Sequence, residues 1–409
     1  MTIELPNWND PAIVANPYPV YRRLLDTQPF YWDPVADAHT VLRHRDVAGI
    51  LKDSRFLTNR MKVFLPRIPE ETRARIQPLI DLCAHFMIYL DPPEHGRLRT
   101  PVVKAFDTRL VKHWRGRIED VAGKLLDGVG DGEEVDVVPA LAFPLPFTMI
   151  ASMLGIGLQD AAALKSWTND IAAFMDRTTD PAAAAKALEA VGGFRPYFTK
   201  AIEERKTAPR EDLLSYLVQL RAEHPDLSDA DIIGNSILIL AAGHETTTAL
   251  VGNALLALAR HPDELAKLRE NPGMVDAAVD ETARYDPPIH RTGRLVSEAL
   301  DWNGNRLEQE TRVSLFLAAA NRDGSVFPDP DRFDLSRAAG AKHLSFGWGA
   351  HYCAGAGLGR TEAIVAVGEF VKRFPHFELA AEPVYANNLT LRCPASIRLR
   401  VTRAARAAT

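Results

Sequence analysis

Cysteine is scarce in this chain. Only Cys83, Cys353 and Cys393 occur in 409 residues, and no two of them form a Cys-x-x-Cys pair. That spacing argues against a disulfide framework and an all-cysteine zinc site. Long apolar runs are missing too: no stretch of about 18 apolar residues occurs, so no membrane-spanning helix is predicted. The opening residues, Met1-Thr2-Ile3-Glu4-Leu5-Pro6-Asn7-Trp8, carry no basic segment followed by an apolar core, so no secretory signal is predicted. Positive charge is not in excess either. The net charge of −5 argues against nucleic acid or an anionic membrane surface as a partner. With 46% hydrophobic and 25% charged residues, the composition is that of an ordinary globular protein. A cytoplasmic location is expected.

The most informative stretch is Phe346-Gly347-Trp348-Gly349-Ala350-His351-Tyr352-Cys353-Ala354-Gly355, which opens a helical run predicted from Ala354 through Lys372. A cysteine just ahead of a helix sits where backbone N–H groups and the positive dipole end converge, a setting that favours thiolate. The three glycines allow sharp turns and the approach of something large and flat. A lone cysteine is more often a small buried apolar residue. As a thiolate in this setting, with His351 two residues earlier, it is a candidate ligand for a metal in a planar macrocycle.

Earlier in the chain, Val20–Leu25 reads as a short helix, Phe30–Trp32 and Thr40–Leu42 as a hairpin, and Asp46–Leu51 as a helix. Residues 59–89 read as a long irregular connection with short helices, which is uncommon unless functional. Asp91-Pro92-Pro93-Glu94 starts a helix to about Phe106, with His95 and Arg99 four apart on one face. Val111 to Glu223 is mostly helical in pattern, and Ala182–Ala190 is helical by propensity. Ser228-x-x-Asp231 is a capping-box-like start. The helix it opens runs to Arg260, where His261-Pro262 stops it, giving a rod of roughly 45 Å. In its apolar middle stand Glu245, Thr246, Thr247 and Thr248, which are costly to bury without partners. Threonine can bond back to the preceding turn and open the helix there. Glu281 and Arg284 share a face of a later helix.

Together these segments resemble the cytochrome P450 family. The loop matches at nine positions between Phe346 and Glu362, including Phe346, Gly347, His351, Cys353, Gly355, Leu358 and Arg360. The resemblance makes Cys353 the axial thiolate of haem b (iron protoporphyrin IX), a ligand of its iron. It makes His95 and Arg99 partners of a haem propionate. Ala242-Gly243-His244-Glu245-Thr246 is similar to the family's central helix over the haem, which implies that Thr246 holds dioxygen and an ordered water while Glu245 relays protons. Glu281 and Arg284 become a structural ion pair with a further arginine, Arg332 or Arg337. Arg294 stands where family members often bind a second propionate, with Arg291 as the alternative. Gly324, Gly359 and Cys393 depart from the family's usual proline, alanine and glycine.

The resemblance spans Asn16-Pro17-Tyr18 to a terminal hairpin near Leu389–Val401. It implies a mainly α protein with small β-sheets (α+β): one P450 haem-thiolate domain over residues 1–409, helical and triangular, with a smaller β-rich region. The implied activity is oxidoreductase hydroxylation. Such a monooxygenase inserts one atom of dioxygen into a C–H bond of a hydrophobic terpenoid, fatty acid, polyketide or aromatic compound. No fused reductase is visible, so a separate ferredoxin and its reductase are the expected electron donors, docking near Lys104, Arg109, Lys112 and Arg360 on a monomer. Candidate substrate-pocket residues are Phe64, Leu65, Phe86, Met87, Phe174, Leu238, Ala241 and Ile289, mostly apolar. A lid over Trp167–Arg177 is a further expectation. The alternatives are a haem-thiolate sensor without turnover, a peroxide-driven P450, and a haem-free hydrolase using Cys353 and His351. The last has poor geometry, because the two residues are too close along one tight loop.

Overall fold

The long helix begins and ends where the sequence predicts, spanning Asp229–Arg260. At its start Ser228 N donates to Asp231 Oδ2 at 3.0 Å and Asp231 N donates to Ser228 Oγ at 3.1 Å, a reciprocal cap. At its end His261 N donates to the Ala257 carbonyl at 3.0 Å before Pro262 opens the next helix. The helix is α-helical throughout, so its threonines do not interrupt it. The computed structural model describes residues 5–8, 10–59, 65–106, 108–176, 180–337, 342–385, 388 and 390–404. The fold is mainly α with small mixed sheets, and the chain divides into two compact units.

The first unit comprises Met1–Phe56, Val111–Pro146 and Glu245–Thr409. The expected N-terminal hairpin forms from Phe30–Asp33 and Ala38–Val41, paired antiparallel with Tyr31 opposite Thr40. Ala38–Val41 then pairs in parallel with Arg312–Phe316, and Arg291–Val296 pairs antiparallel with the other edge of that strand. Val41, Val313, Leu315 and Val296 are buried from this sheet against Val47, Ile50 and Leu51 of the helix His44–Lys52, as apolar residues on one face of strand and helix should be. A second sheet places Arg398–Thr402 between Glu134–Asp136 and His376–Leu379. The terminal hairpin therefore differs from expectation: Pro394–Ser396 pairs with Val384–Tyr385, and the last strand pairs elsewhere.

The second unit comprises Leu57–Leu110 and Phe147–His244. The alanine-rich stretch belongs to a helix over Pro181–Thr207, capped by Asp180 Oδ1 accepting from Ala182 N at 2.9 Å. It packs on Ala161–Asp176, where Trp167 meets Phe194 edge-on at 5.2 Å. Residues 65–89 form short turns and the helices Glu70–Arg75 and Gln77–Cys83, the irregular connection expected. Among the described residues no helix is long and apolar enough to cross a membrane.

Candidate functional site

Cys353 follows a turn that needs glycine twice. The Cys353 amide donates to the Phe346 carbonyl oxygen at 2.8 Å. Gly347 and Gly349 have φ of +71° and +72°, where side chains are disfavoured. A Cβ on Gly349 would also stand 2.6 Å from the Leu51 carbonyl oxygen, whereas one on Gly355 would meet nothing within 4 Å. Gly349→Ala is therefore expected to cost about 1–3 kcal/mol or more in folding stability, and Gly355→Ala much less, compared by denaturant unfolding. After the turn Gly349–His351, the helix Ala356–Arg373 begins, two residues later than predicted. Cys353 itself is exposed, and the three cysteines form no disulfide.

The loop is fastened to a buried ion-pair network within the same unit. Leu344 N donates to Asn321 Oδ1 at 2.7 Å, Asn321 Nδ2 donates to Ser345 Oγ at 2.8 Å, and Ser345 Oγ donates to the Ala283 carbonyl. Beside Ala283, Arg284 Nε and Nη2 grip Glu281, each at 2.8 Å, and its guanidinium also donates to the carbonyls of Asn321, Pro330 and Arg332. Of the two expected third arginines, Arg337 is the one that reaches Glu281, at 3.1 Å. Arg332 contributes only its carbonyl to Arg284. Glu362, on the helix behind the cysteine, is fully buried, and burial pushes its carboxyl well above the ordinary range.

Glu245 and Thr246 are half-buried on the long helix. Burial alone pushes the Glu245 carboxyl up to about 7. One residue on, Thr247 Oγ1 lies 3.1 Å from where a Cβ on Gly359 would stand, so glycine there leaves room for the threonine. Arg291 and Arg294 are three apart on the strand Arg291–Val296 and so face opposite sides. Arg294 is buried, while Arg291 Nε donates to Thr390 Oγ1 at 3.0 Å. Ile289 is half-buried and bridges to Leu391, beside which Cys393 Sγ sits 3.8 Å from the Pro394 carbonyl.

In the second unit, His95 and Arg99 stand one turn apart on the helix Glu94–Ala105. Its start is braced by Asp91, whose carboxylate accepts from Thr58 N at 2.7 Å and Asn59 N at 3.1 Å. Burial, and then the Arg99 charge, lower the basicity of His95. Ala242 is exposed and Gly243 half-buried, between the buried run 231–241 and buried His244. His244 turns away, its Nδ1–H donating to the Leu240 carbonyl at 2.7 Å and its ring edge-on to Phe147; burial lowers its pKa to about 4.

Among the candidate pocket residues, Leu65 and Met87 are half-buried, while Phe86, Phe174, Leu238 and Ala241 are buried. Phe64 and the side chain of Met175 lie outside the described residues. In the docking set, Lys104 is exposed. Arg360 is held by Asp280 through bonds of 2.6 and 2.8 Å, which offsets its charge. The side chains of Arg109 and Lys112 lie outside the described residues.

Residues 83–384 match the family model described as Cytochrome P450. "Cytochrome P450 107B1" of Saccharopolyspora erythraea is 39% identical over 85% of this chain and 84% of its own length. From the same organism, "Erythromycin C-12 hydroxylase" is 36% identical over 85% of each chain. Among solved structures, P450BioI in complex with hexadec-9Z-enoic acid ligated acyl carrier protein superposes with a TM-score of 0.89, at 33% identity, over 95% of this chain and 99% of that one.

Proposed function

Because this chain belongs to the cytochrome P450 family, a family of haem-b proteins with a cysteine thiolate ligand, we propose that Cys353 is that ligand. The chain is a P450 monooxygenase by that membership. The observation that carries the assignment is the Cys353 turn: two glycines at positive φ, a backbone bond to Phe346, and an exposed thiol just before a helix. The residues present fit the group. Open space lies over Gly355, the long helix leaves Ala242 uncovered, and Arg294 is a buried cation suited to a propionate.

When bound, the haem supplies dioxygen activation and insertion of one oxygen atom into a C–H bond. Cys353 would bind the iron, and His95, Arg99 and Arg294 would hold the propionates. Phe346, Gly347, His351 and Gly355 shape the loop on the thiolate side. On the long helix, Ala242 and Gly243 are small residues that would leave room for the group. Thr246 orients dioxygen and a water through its hydroxyl. Glu245, whose carboxyl holds its proton up to about pH 7, passes protons inward from solvent.

Leu65, Met87 and Ile289 supply partly exposed apolar surface, while Phe86 and Phe174 are fully buried and Leu238 and Ala241 nearly so; such surface takes a hydrophobic substrate. The relative named as an erythromycin hydroxylase and the neighbour holding a fatty-acyl carrier protein support a polyketide or fatty-acyl compound. Electrons come from a separate ferredoxin-type donor to one haem-thiolate domain. The test is the absorption of the reduced, carbon-monoxide-treated protein. Thiolate ligation gives a red-shifted band in the wild type and none in Cys353→Ser. A wild-type protein without that band overturns the assignment.

A further inference from the structure

The segment His85–Met87, which carries two candidate pocket residues, is tied to the first turns of the long helix by side chains that the chemistry above does not use. Asn235 Nδ2 donates to the His85 carbonyl oxygen at 2.9 Å, and the Met87 amide donates to Asn235 Oδ1 at 3.3 Å. One amide thus grips the backbone on both sides of Phe86, whose ring is fully buried. One turn earlier, His85 Nδ1 donates to Asp231 Oδ1 at 2.7 Å. The same carboxylate accepts from Arg97 Nη1 at 3.0 Å and from Ser228 Oγ at 2.8 Å. Burial opposes its ionisation, but the bonds from Arg97, His85 and Ser228 outweigh that and hold it well below the usual carboxylate range. A Cβ on Gly234 would lie 2.8 Å from the His85 Cβ, so the segment rests directly on the helix.

Asp231 and Asn235 are each 3% exposed. Polar groups this buried are destabilising unless bonded, and Asn235 spends its bonds to other elements on this segment alone. A side chain bonded to backbone fixes the path of the segment, and so where the Phe86 and Met87 side chains stand. We infer that Asn235 and Asp231 are positioning residues that hold Phe86 and Met87 in place and thereby set how large a molecule the substrate site accepts. The inference rests on the reading of Met87 as substrate-facing, with the buried Phe86 ring setting where it stands.

The test uses the haem-loaded protein and two probes that bind haem iron through an imidazole nitrogen: imidazole itself and the larger phenylimidazole. In Asn235→Ala, hydrogen exchange at the Met87 amide is expected to quicken about tenfold, the worth of one or two hydrogen bonds. Affinity for phenylimidazole is expected to fall about tenfold relative to imidazole, because a preorganised wall is lost. If Asn235→Ala does not fold, His85→Ala tests the Asp231 anchor by the affinity ratio alone, since that side chain is 33% exposed and its removal leaves the Asn235 bond to the Met87 amide in place; an unchanged ratio in it overturns the inference. In Asn235→Ala, faster exchange with an unchanged affinity ratio overturns the inference, and so does unchanged exchange. The carbon-monoxide spectrum is recorded on the same samples. A red-shifted band with unchanged exchange and ratio overturns this inference alone, whereas a wild type lacking the band overturns the thiolate assignment and this inference with it.

Discussion

Arg284→Met is expected to destabilise the folded chain by about 3–5 kcal/mol, the usual consequence of leaving one partner of a buried ion pair behind. Arg284 and Glu281 are 2% and 6% exposed. Without the guanidinium, Glu281 keeps only Arg337 Nε and the Asp334 amide, each at 3.1 Å. The carbonyls of Asn321, Pro330 and Arg332 lose a donor as well. Because Asn321 and Ala283 also hold Leu344 and Ser345, the loss should reach the cysteine loop and lower haem retention. Arg332→Met is the contrast: its side chain is 62% exposed, so its stability should stay within about 0.5 kcal/mol of wild type. Replacing both partners, Glu281→Leu with Arg284→Met, should recover part of the loss, since the buried Glu281 charge goes with its partner and only the more exposed Arg337 loses its carboxylate. The measurement is urea unfolding with haem absorbance as a second probe. Equal midpoints for Arg284→Met and Arg332→Met would sink the expectation.

That network shows where reading the sequence works and where it stops. Glu281 and Arg284 are three apart, so a helix alone brings them together, and the same holds for His95 with Arg99 and for Ser228 with Asp231. The cysteine loop was legible because its glycines encode backbone shape locally. The choice between Arg332 and Arg337 was not, since it depends on how a chain without regular structure folds back over 50 residues. Nor could the sequence indicate that Gly349 lies against Leu51, or that His85 and Arg97 converge on Asp231. Those contacts join segments far apart in the chain, and their polar residues have no period to betray them. Glu134–Asp136 was missed because three residues, two of them acidic, carry no strand signal. Arg392 is a similar case. It donates to Asp286 Oδ1 at 2.9 Å and to the carbonyls of Val14 and Ala15, fastening the chain's end to its beginning.

Glu245→Gln is expected to lower the rate of product formation by about a hundredfold or more, within the range by which positioned proton-transfer groups act, and to abolish a pH dependence centred near neutrality. Burial raises the Glu245 carboxyl to about 7, so the fold favours its neutral form. Below about pH 7 the group carries a proton to deliver, and above it the group is an ionised carboxylate. Product formed per electron consumed should therefore fall in the wild type as pH rises through 7. Glutamine keeps the shape and can form hydrogen bonds but cannot give up a proton in this range, so its low yield should be flat across the same interval. Thr246→Ala should behave differently. Reductant would still be consumed while product falls and hydrogen peroxide accumulates, because the hydroxyl orients rather than supplies the proton. Both variants can be compared with any compound that shifts the haem spectrum and is turned over, by counting reductant, peroxide and product together. A wild-type yield that does not change between pH 6 and 8, or a glutamine variant that retains the wild-type slope, would remove Glu245 from the proton path and leave its raised pKa as a consequence of burial alone.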